Sequence, residues 1–160
     1  MFCVGDKVVH PLHGAGIIEE ITQERLVGMP GSYYVFRMPT GGLTLKIPTE
    51  NCGAIGLRGL LSREKMEELL QKIPFLDAEM TNNWNRRYRE NMEKLKSGDL
   101  LEVARVIKGL ALREAKQGLS TGERKMLHGA KQVLLSELVL VKELTYEAAE
   151  RLLQRAIMEK

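Results

Sequence analysis

The sequence predicts an α+β protein in which a small antiparallel β-barrel is followed by an all-α helical domain. Up to residue 57, short runs rich in β-branched and aromatic residues alternate with Gly/Pro turn signals. From about residue 62, apolar residues recur with the 3.6-residue period of a helix. The change of period falls near 53–61. We therefore predict one domain at 1–57 and a second at 62–160.

Four runs in the first domain are predicted to be strands: KVVHP, GIIEEI, SYYVFRM and LTLKIP. GMPG (28–31) and PTGG (39–42) are the turn signals between them. In LTLKIP the alternation of Leu43, Leu45 and Ile47 predicts that these three side chains share one face of the strand. Short strands with turns at this spacing are typical of a small barrel.

Each predicted helix begins at a residue whose side chain can cap its first turn. The predicted caps are Ser62, Asn82 or Asn83, Asp99, Ser120 and Thr145. Two of them are followed three residues later by glutamate, as in a capping box: Asp99 by Glu102 and Ser120 by Glu123. Gly98 and Gly118 are predicted to end the helices that precede Asp99 and Ser120.

Composition indicates a folded cytoplasmic protein. The chain of 160 residues is 44% hydrophobic and 28% charged, which is ordinary for a globular protein. Its apolar runs are shorter than the ~18 residues needed to span a bilayer, and its first residues lack the basic and apolar regions of a secretory signal. Cys3 and Cys52 form no CxxC pair, so we expect free thiols in a reducing compartment.

Motifs for catalysis are missing from the sequence, and we predict that the protein is not an enzyme. The candidate metal ligands are His10 and His13 together with the two cysteines, but an H-x-x-H spacing in a Pro/Gly turn is a poor match to zinc sites. The sequence has no phosphate-binding glycine loop, nucleophile elbow or paired carboxylates. We expect no metal and no cofactor.

Positive charge is concentrated in the middle of the chain. Residues 84–132 contain 12 Lys/Arg and 6 Asp/Glu, a net charge of +6, whereas residues 1–75 are neutral. A local excess of cations can recruit a polyanion, because neutralising phosphates releases condensed counterions. From charge alone, a solvated helix face is the more ordinary explanation.

The single tryptophan, Trp84, lies in TNNWNRRYREN (81–91) and allows two interpretations. As the first core residue of its helix, it would share one stripe with Tyr88, Met92 and Leu95. Alternatively, it projects from the first turn beside Arg86 and Arg89, which are three residues apart and share a face. That second arrangement suits a wedge at a DNA groove, with cations on the backbone.

Long ordered motifs give the sequence a resemblance to the CarD/CdnL family of bacterial RNA-polymerase-binding transcription regulators. VGDKVVHPLHGAGIIEEI and LTLKIP-x-EN resemble the family's N-terminal module. NWNRRYRENMEKLKSGD and GLSTGERKML resemble its helical C-terminal domain. The resemblance implies a Tudor/SH3-like barrel of the type also found in the transcription-repair coupling factor.

The resemblance also implies partners. The barrel would bind the β subunit of RNA polymerase through Lys46, at a position that is often arginine in the family. Arg25 is a weaker candidate, because the family's second basic position falls on Glu24 and adjacent strand residues face opposite ways.

On the DNA side, the resemblance implies that Trp84 enters the minor groove at the upstream edge of the transcription bubble. Arg86, Arg89, Arg124 and Lys125 would lie near the DNA backbone. The protein would act as a monomer, associated with the nucleoid through polymerase, and would stabilise the open promoter complex with little sequence preference.

Two other functions are compatible with the residues. A protein–protein adaptor would bury Trp84 and leave the basic helices solvated. An RNA-binding module would use the barrel aromatics Tyr33, Tyr34 and Phe36, although these alternate like core residues.

Overall fold

The computed structural model describes residues 2–26, 29–38, 44–51 and 55–158, without the side chains of residues 24–26, 29–30 and 51. Within these residues, an N-terminal antiparallel sheet is followed by helices, which confirms the predicted fold class. None of the helices in these ranges is both long and apolar enough to span a membrane.

The N-terminal sheet has five strands in the order β4-β3-β2-β1-β5, and neighbouring strands are antiparallel. The strands are β1 (Lys7–His10), β2 (Gly14–Leu26), β3 (Met29–Arg37), β4 (Thr44–Pro48) and β5 (Arg58–Gly59). A 3-10 turn, Thr49–Asn51, follows β4.

Two sequence predictions for this region need adjustment. β5 lies inside the predicted joint and pairs with β1, so the sheet continues beyond residue 57. Residues 29–31 of the predicted GMPG turn belong to β3 instead. The PTGG turn and Leu43 lie outside the described residues.

Alternation along the strands separates two buried faces of the sheet. Val8, Ile18, Tyr34, Phe36, Met38 and Ile47 form the core of the sheet domain, and Leu45 packs against this core. Val9 and Ala15 are also buried, with 2% and 0% exposure, but lie outside this core. Tyr33 is 8% exposed, so none of the three barrel aromatics offers an open stacking platform for RNA.

Five α-helices are found among the described residues: α1 (Arg63–Lys72), α2 (Trp84–Lys96), α3 (Leu100–Gln117), α4 (Thr121–Lys142) and α5 (Tyr146–Met158). The predicted caps form. The side chains of Ser62, Asn83, Asp99, Ser120 and Thr145 accept backbone N–H groups in the first turns. Gly98 and Gly118 follow α2 and α3 with φ of +75° and +81°.

Lys108, one of the cations of the basic segment, has a structural role. The buried Lys108 on α3 donates from Nζ to the carbonyl oxygens of Ile73, Pro74 and Leu76, at 2.8, 2.9 and 3.0 Å. These carbonyls belong to the 3-10 turn Ile73–Phe75 and the residue after it. Lys108 therefore satisfies the end of this turn and adds nothing to the surface charge.

Helix α4 joins the sheet to the helical core through two consecutive residues, Ser136 and Glu137, which we call the α4 anchor. Ser136 Oγ accepts the Ala15 N–H at 2.8 Å. Gly14 in β2 has φ of +103°, and a Cβ there would overlap the Ser136 side chain. The fully buried Glu137 carboxylate accepts two hydrogen bonds from Arg58, at 2.7 and 3.0 Å. The anchor therefore fixes how the sheet sits on α4.

Candidate nucleic-acid interface

The first turn of α2 presents Trp84 at the surface. Asn83 Oδ1 accepts the Arg86 N–H at 3.0 Å and starts the helix, so Trp84 is its first residue. The indole is 43% exposed. It stacks on the Tyr88 ring one turn later, with 5.1 Å between ring centroids and 18° between planes. One face of the tryptophan is therefore supported by protein, while much of the ring contacts solvent.

The indole of Trp84 also joins α2 to the start of α4. Its Nε1–H donates to Ser120 Oγ at 3.0 Å, and the same oxygen accepts the Glu123 N–H at 3.2 Å as the cap of α4. The N-termini of two long helices thus lie side by side. Each N-terminus carries a positive partial charge from its aligned peptide dipoles.

A buried ion pair lies beneath this junction. Arg87 Nε and Nη2 donate to the two carboxylate oxygens of Glu123, at 2.7 and 3.0 Å. Both side chains are at most 3% exposed. Arg87 Nη1 also donates to the Thr81 carbonyl at 3.1 Å. This bidentate pair fixes the relative position of the two first turns.

The ion pair shifts the pKa values of both groups in favour of their charged forms. The hydrogen bond from Arg87 lowers the pKa of the Glu123 carboxyl, with the charges of Arg87 and Arg113 adding to the effect against the opposing effect of burial. The hydrogen bond to Glu123 raises the pKa of Arg87. Both groups are therefore charged at neutral pH.

The predicted DNA-contacting cations lie on these same helices. Arg86 is exposed and forms an i,i+4 ion pair with Glu90 at 2.8 Å. Arg89, Arg124 and Lys125 are exposed. Arg86 follows Trp84 in the first turn of α2, while Arg124 and Lys125 follow Ser120 at the start of α4. The Trp84–Ser120 contact therefore brings these two cationic segments together.

An apolar groove of about 320 Å³ lies beside Tyr88, between α2, α4 and the turn after β1. Its lining includes Leu12, Met92, Leu95, Met126 and Val133, with Lys96 and Lys125 also among its residues. The surface next to Trp84 thus combines aromatic and apolar area with cations, a composition found in proteins that bind the edge of a DNA groove.

The predicted polymerase-binding residues lie on the sheet. Lys46 is an exposed residue of β4, an outer strand of the sheet, and its backbone lies opposite Val35. The backbone of Arg25 lies opposite Pro30, but the Arg25 side chain is outside the described part of the structure. Of the two predicted polymerase-binding residues, Lys46 is therefore the one whose side chain is seen at the surface.

The two histidines, His10 at the end of β1 and His13 in the turn after it, have a structural environment. The rings of His10 and His13 lie 4.6 Å apart, and His10 Nδ1 accepts the Leu12 N–H at 3.1 Å. Burial, followed by the charge of His13, lowers the pKa of His10, which is therefore neutral at pH 7. Across the described residues, no three His, Cys, Asp or Glu side chains are grouped so as to hold a metal ion; Cys52 lies outside them.

Sequence reasoning missed the buried members of this site. It singled out Arg86 and Arg89 but gave Arg87 no role, and it assigned Glu123 only to a capping box, whereas the Glu123 side chain binds Arg87. Arg87 and Asn91 are the buried residues of α2, while the apolar Tyr88, Met92 and Leu95 are only partly buried. The sequence did contain one signal of this burial, because Arg87 and Asn91 are polar residues four positions apart and therefore share a face of α2.

Comparison with known proteins covers both parts of the chain. Residues 2–60 match the CarD-like/TRCF RID domain, and residues 65–154 match the CarD C-terminal domain. The chain is 32% identical over 145 residues to YdeB of Bacillus subtilis (strain 168), which is proposed by its name to be a transcription factor. That alignment covers 91% of this chain and 95% of YdeB. The chain therefore belongs to the family of CarD-like transcription factors.

Proposed function

We propose that this protein regulates transcription by binding the β subunit of RNA polymerase through its sheet and promoter DNA through the junction of α2 and α4. In this proposal residues 1–57 form the polymerase-interacting domain, extended by β5, and residues 62–160 the DNA-binding domain. The protein acts as a monomer in the bacterial cytoplasm, on the nucleoid, and has no catalytic role. It stabilises the open complex by contacting the upstream edge of the bubble.

The observation that carries the proposal is the exposed Trp84 at two adjoining helix N-termini. Its indole is supported by Tyr88 and Ser120, and Arg86, Arg124 and Lys125 lie on the same two turns. An aromatic ring can contact or unstack a base step in the minor groove, while the cations and helix dipoles favour phosphate oxygens. Because phosphates carry no base identity, this mode of binding has little sequence preference.

The adaptor alternative is less well supported. It requires a buried Trp84, whereas the indole is 43% exposed. A solvated basic face is compatible with Arg86, which is paired with Glu90 in the free protein. However, an exposed i,i+4 pair is worth only about 0.3–0.5 kcal/mol, so DNA can displace Glu90 at small cost.

The salt dependence of promoter-complex binding tests the DNA contact. We expect Arg86→Ala and Arg124→Ala each to weaken binding and to reduce the slope of log K against log salt by roughly 0.9, the value for one lost phosphate contact. Arg151→Ala, at an exposed arginine of α5, is the matched control and should leave the slope unchanged. Unaltered affinity and slope in both test variants would mean that this face is merely solvated.

Polymerase binding is tested on the sheet. We expect Lys46→Glu to weaken binding to an isolated β-subunit fragment, because it reverses the charge of an exposed residue on β4. Calorimetric titration measures the affinity, and an unchanged circular dichroism melt shows that the variant is folded. Lys7→Glu, at an exposed residue of β1, controls for charge reversal elsewhere on the sheet. Equal affinities for Lys46→Glu and the wild type would place the interface on another surface.

A further inference from the structure

We infer that Ser120 is a positioning residue for Trp84, and that its hydroxyl holds the indole ready for DNA. The inference rests on the proposed function, because it concerns how the tryptophan is presented there. A 43% exposed side chain on a first helical turn has open space around it, yet this indole has two separate restraints. The Tyr88 ring covers one face, and Ser120 Oγ accepts the Nε1–H.

The hydroxyl of Ser120 serves two helices at once. It accepts the Glu123 N–H at 3.2 Å, as any serine cap does, and it accepts the indole N–H of the other helix at 3.0 Å. Because a hydroxyl oxygen has two lone pairs, it can accept both hydrogen bonds together. Capping explains the first bond but not the second, which is a contact between residues 36 positions apart.

The position of Ser120 is itself fixed. Glu123, three residues later, forms the buried pair with Arg87, and Arg87 lies three residues after Trp84 on α2. Two contacts therefore link α2 to α4. The buried contact joins Arg87 to Glu123, and the surface contact joins Trp84 to Ser120. The buried contact sets the spacing of the two helices, and the surface contact sets the orientation of the indole.

Preorganisation of this kind affects binding rather than folding. An indole that is already oriented does not have to be immobilised when DNA binds. Loss of the Ser120 hydroxyl should shorten the open-complex lifetime by roughly two- to tenfold, the factor expected for ordering one large side chain on association. The effect should remain smaller than that of removing the indole.

The test is Ser120→Gly in the full-length protein, because glycine is nearly as good a helix cap as serine but offers no side-chain oxygen. Ser62→Gly is the matched control: Ser62 caps α1 through the Lys65 N–H at 3.1 Å and is part of no tryptophan contact in the described structure. Ser120→Thr, which retains a hydroxyl, should restore wild-type behaviour.

The first readout needs no DNA. Trp84 is the single tryptophan, so fluorescence anisotropy and the exchange rate of the indole N–H each report on one side chain. We expect Ser120→Gly to lower the anisotropy and to speed exchange by roughly two- to tenfold, as for loss of one hydrogen bond, while Ser62→Gly changes neither. An indole that behaves identically in Ser120→Gly and the wild type overturns the inference.

The second readout is the lifetime of the open promoter complex, compared with that of Trp84→Ala. Support requires that Ser120→Gly shortens the lifetime, and that it adds nothing in the Trp84→Ala background. If Trp84→Ala shortens the lifetime and Ser120→Gly does not, the positioning role is overturned while the proposed function stands. If Trp84→Ala itself has no effect, the proposed function fails and the positioning role fails with it.

Discussion

Glu123→Ala is expected to lower the free energy of unfolding by roughly 3–5 kcal/mol, because it leaves the Arg87 guanidinium buried without its partner. Both side chains are at most 3% exposed, so water cannot replace the lost carboxylate. Urea denaturation followed by circular dichroism measures the effect. Glu114→Ala, at an exposed glutamate of α3, should change stability by less than about 0.5 kcal/mol.

The pH dependence of stability checks the same pair. The pKa of Glu123 is lowered in the folded protein, mainly by the Arg87 hydrogen bond. The pair therefore contributes fully above the unfolded pKa of about 4.3, and its contribution is lost as the pH falls through the lower folded value. Glu123→Gln should remove this part of the acid sensitivity. An acid profile shared by the variant and the wild type would contradict the assignment.

Trp84→Ala is expected to shorten the open-complex lifetime by roughly five- to a hundredfold, because an aromatic contact with one base is worth on the order of 1–3 kcal/mol. Its cost to folding should be smaller than for a core tryptophan. Trp84 is 43% exposed, and the substitution removes its stack on Tyr88 and its hydrogen bond to Ser120, so we expect a loss of about 1–2 kcal/mol. Promoter-opening kinetics and thermal melts on one preparation separate the two effects.

Phe75→Ala is the matched control for Trp84→Ala. Phe75 is an aromatic residue with 82% exposure that lies on the 3-10 turn held by Lys108, away from the α2–α4 junction. Its loss should leave promoter opening unchanged. If Trp84→Ala instead lost roughly 3–5 kcal/mol of stability and opened promoters normally, Trp84 would behave as a core residue, and the adaptor function would be favoured.

Local sequence signals predicted the helical part well. Every predicted helix begins at its capping residue, because a cap depends on atoms within three residues along the chain. The fold class followed from the change of hydrophobic period at the joint. The two-residue strand β5 was missed, since so short a strand is defined by pairing with β1 and has no period of its own.

The candidate site was only partly predictable because its supporting contacts are distant in sequence. Arg87 and Glu123 are 36 residues apart, and Arg58 and Glu137 are 79 apart. In one sequence, a charged residue of a buried pair looks the same as one on a solvated face. The resemblance to a family identified Trp84 and the surface cations as candidates, but not the residues that hold them in place.

The length of α4 sets a spacing between the two proposed binding surfaces. Near the start of α4, Glu123 binds Arg87 of α2, and further along the helix Glu137 binds Arg58 of the sheet. These two glutamates are 14 residues apart, which is about 21 Å along the helix axis. One inserted residue would rotate one end by about 100° relative to the other, so that Trp84 would face away from its present direction. Seven inserted residues, nearly two turns, would restore the direction but add roughly 10 Å, or about three base pairs of DNA. The length of α4 would then determine which base-pair step of the duplex Trp84 contacts.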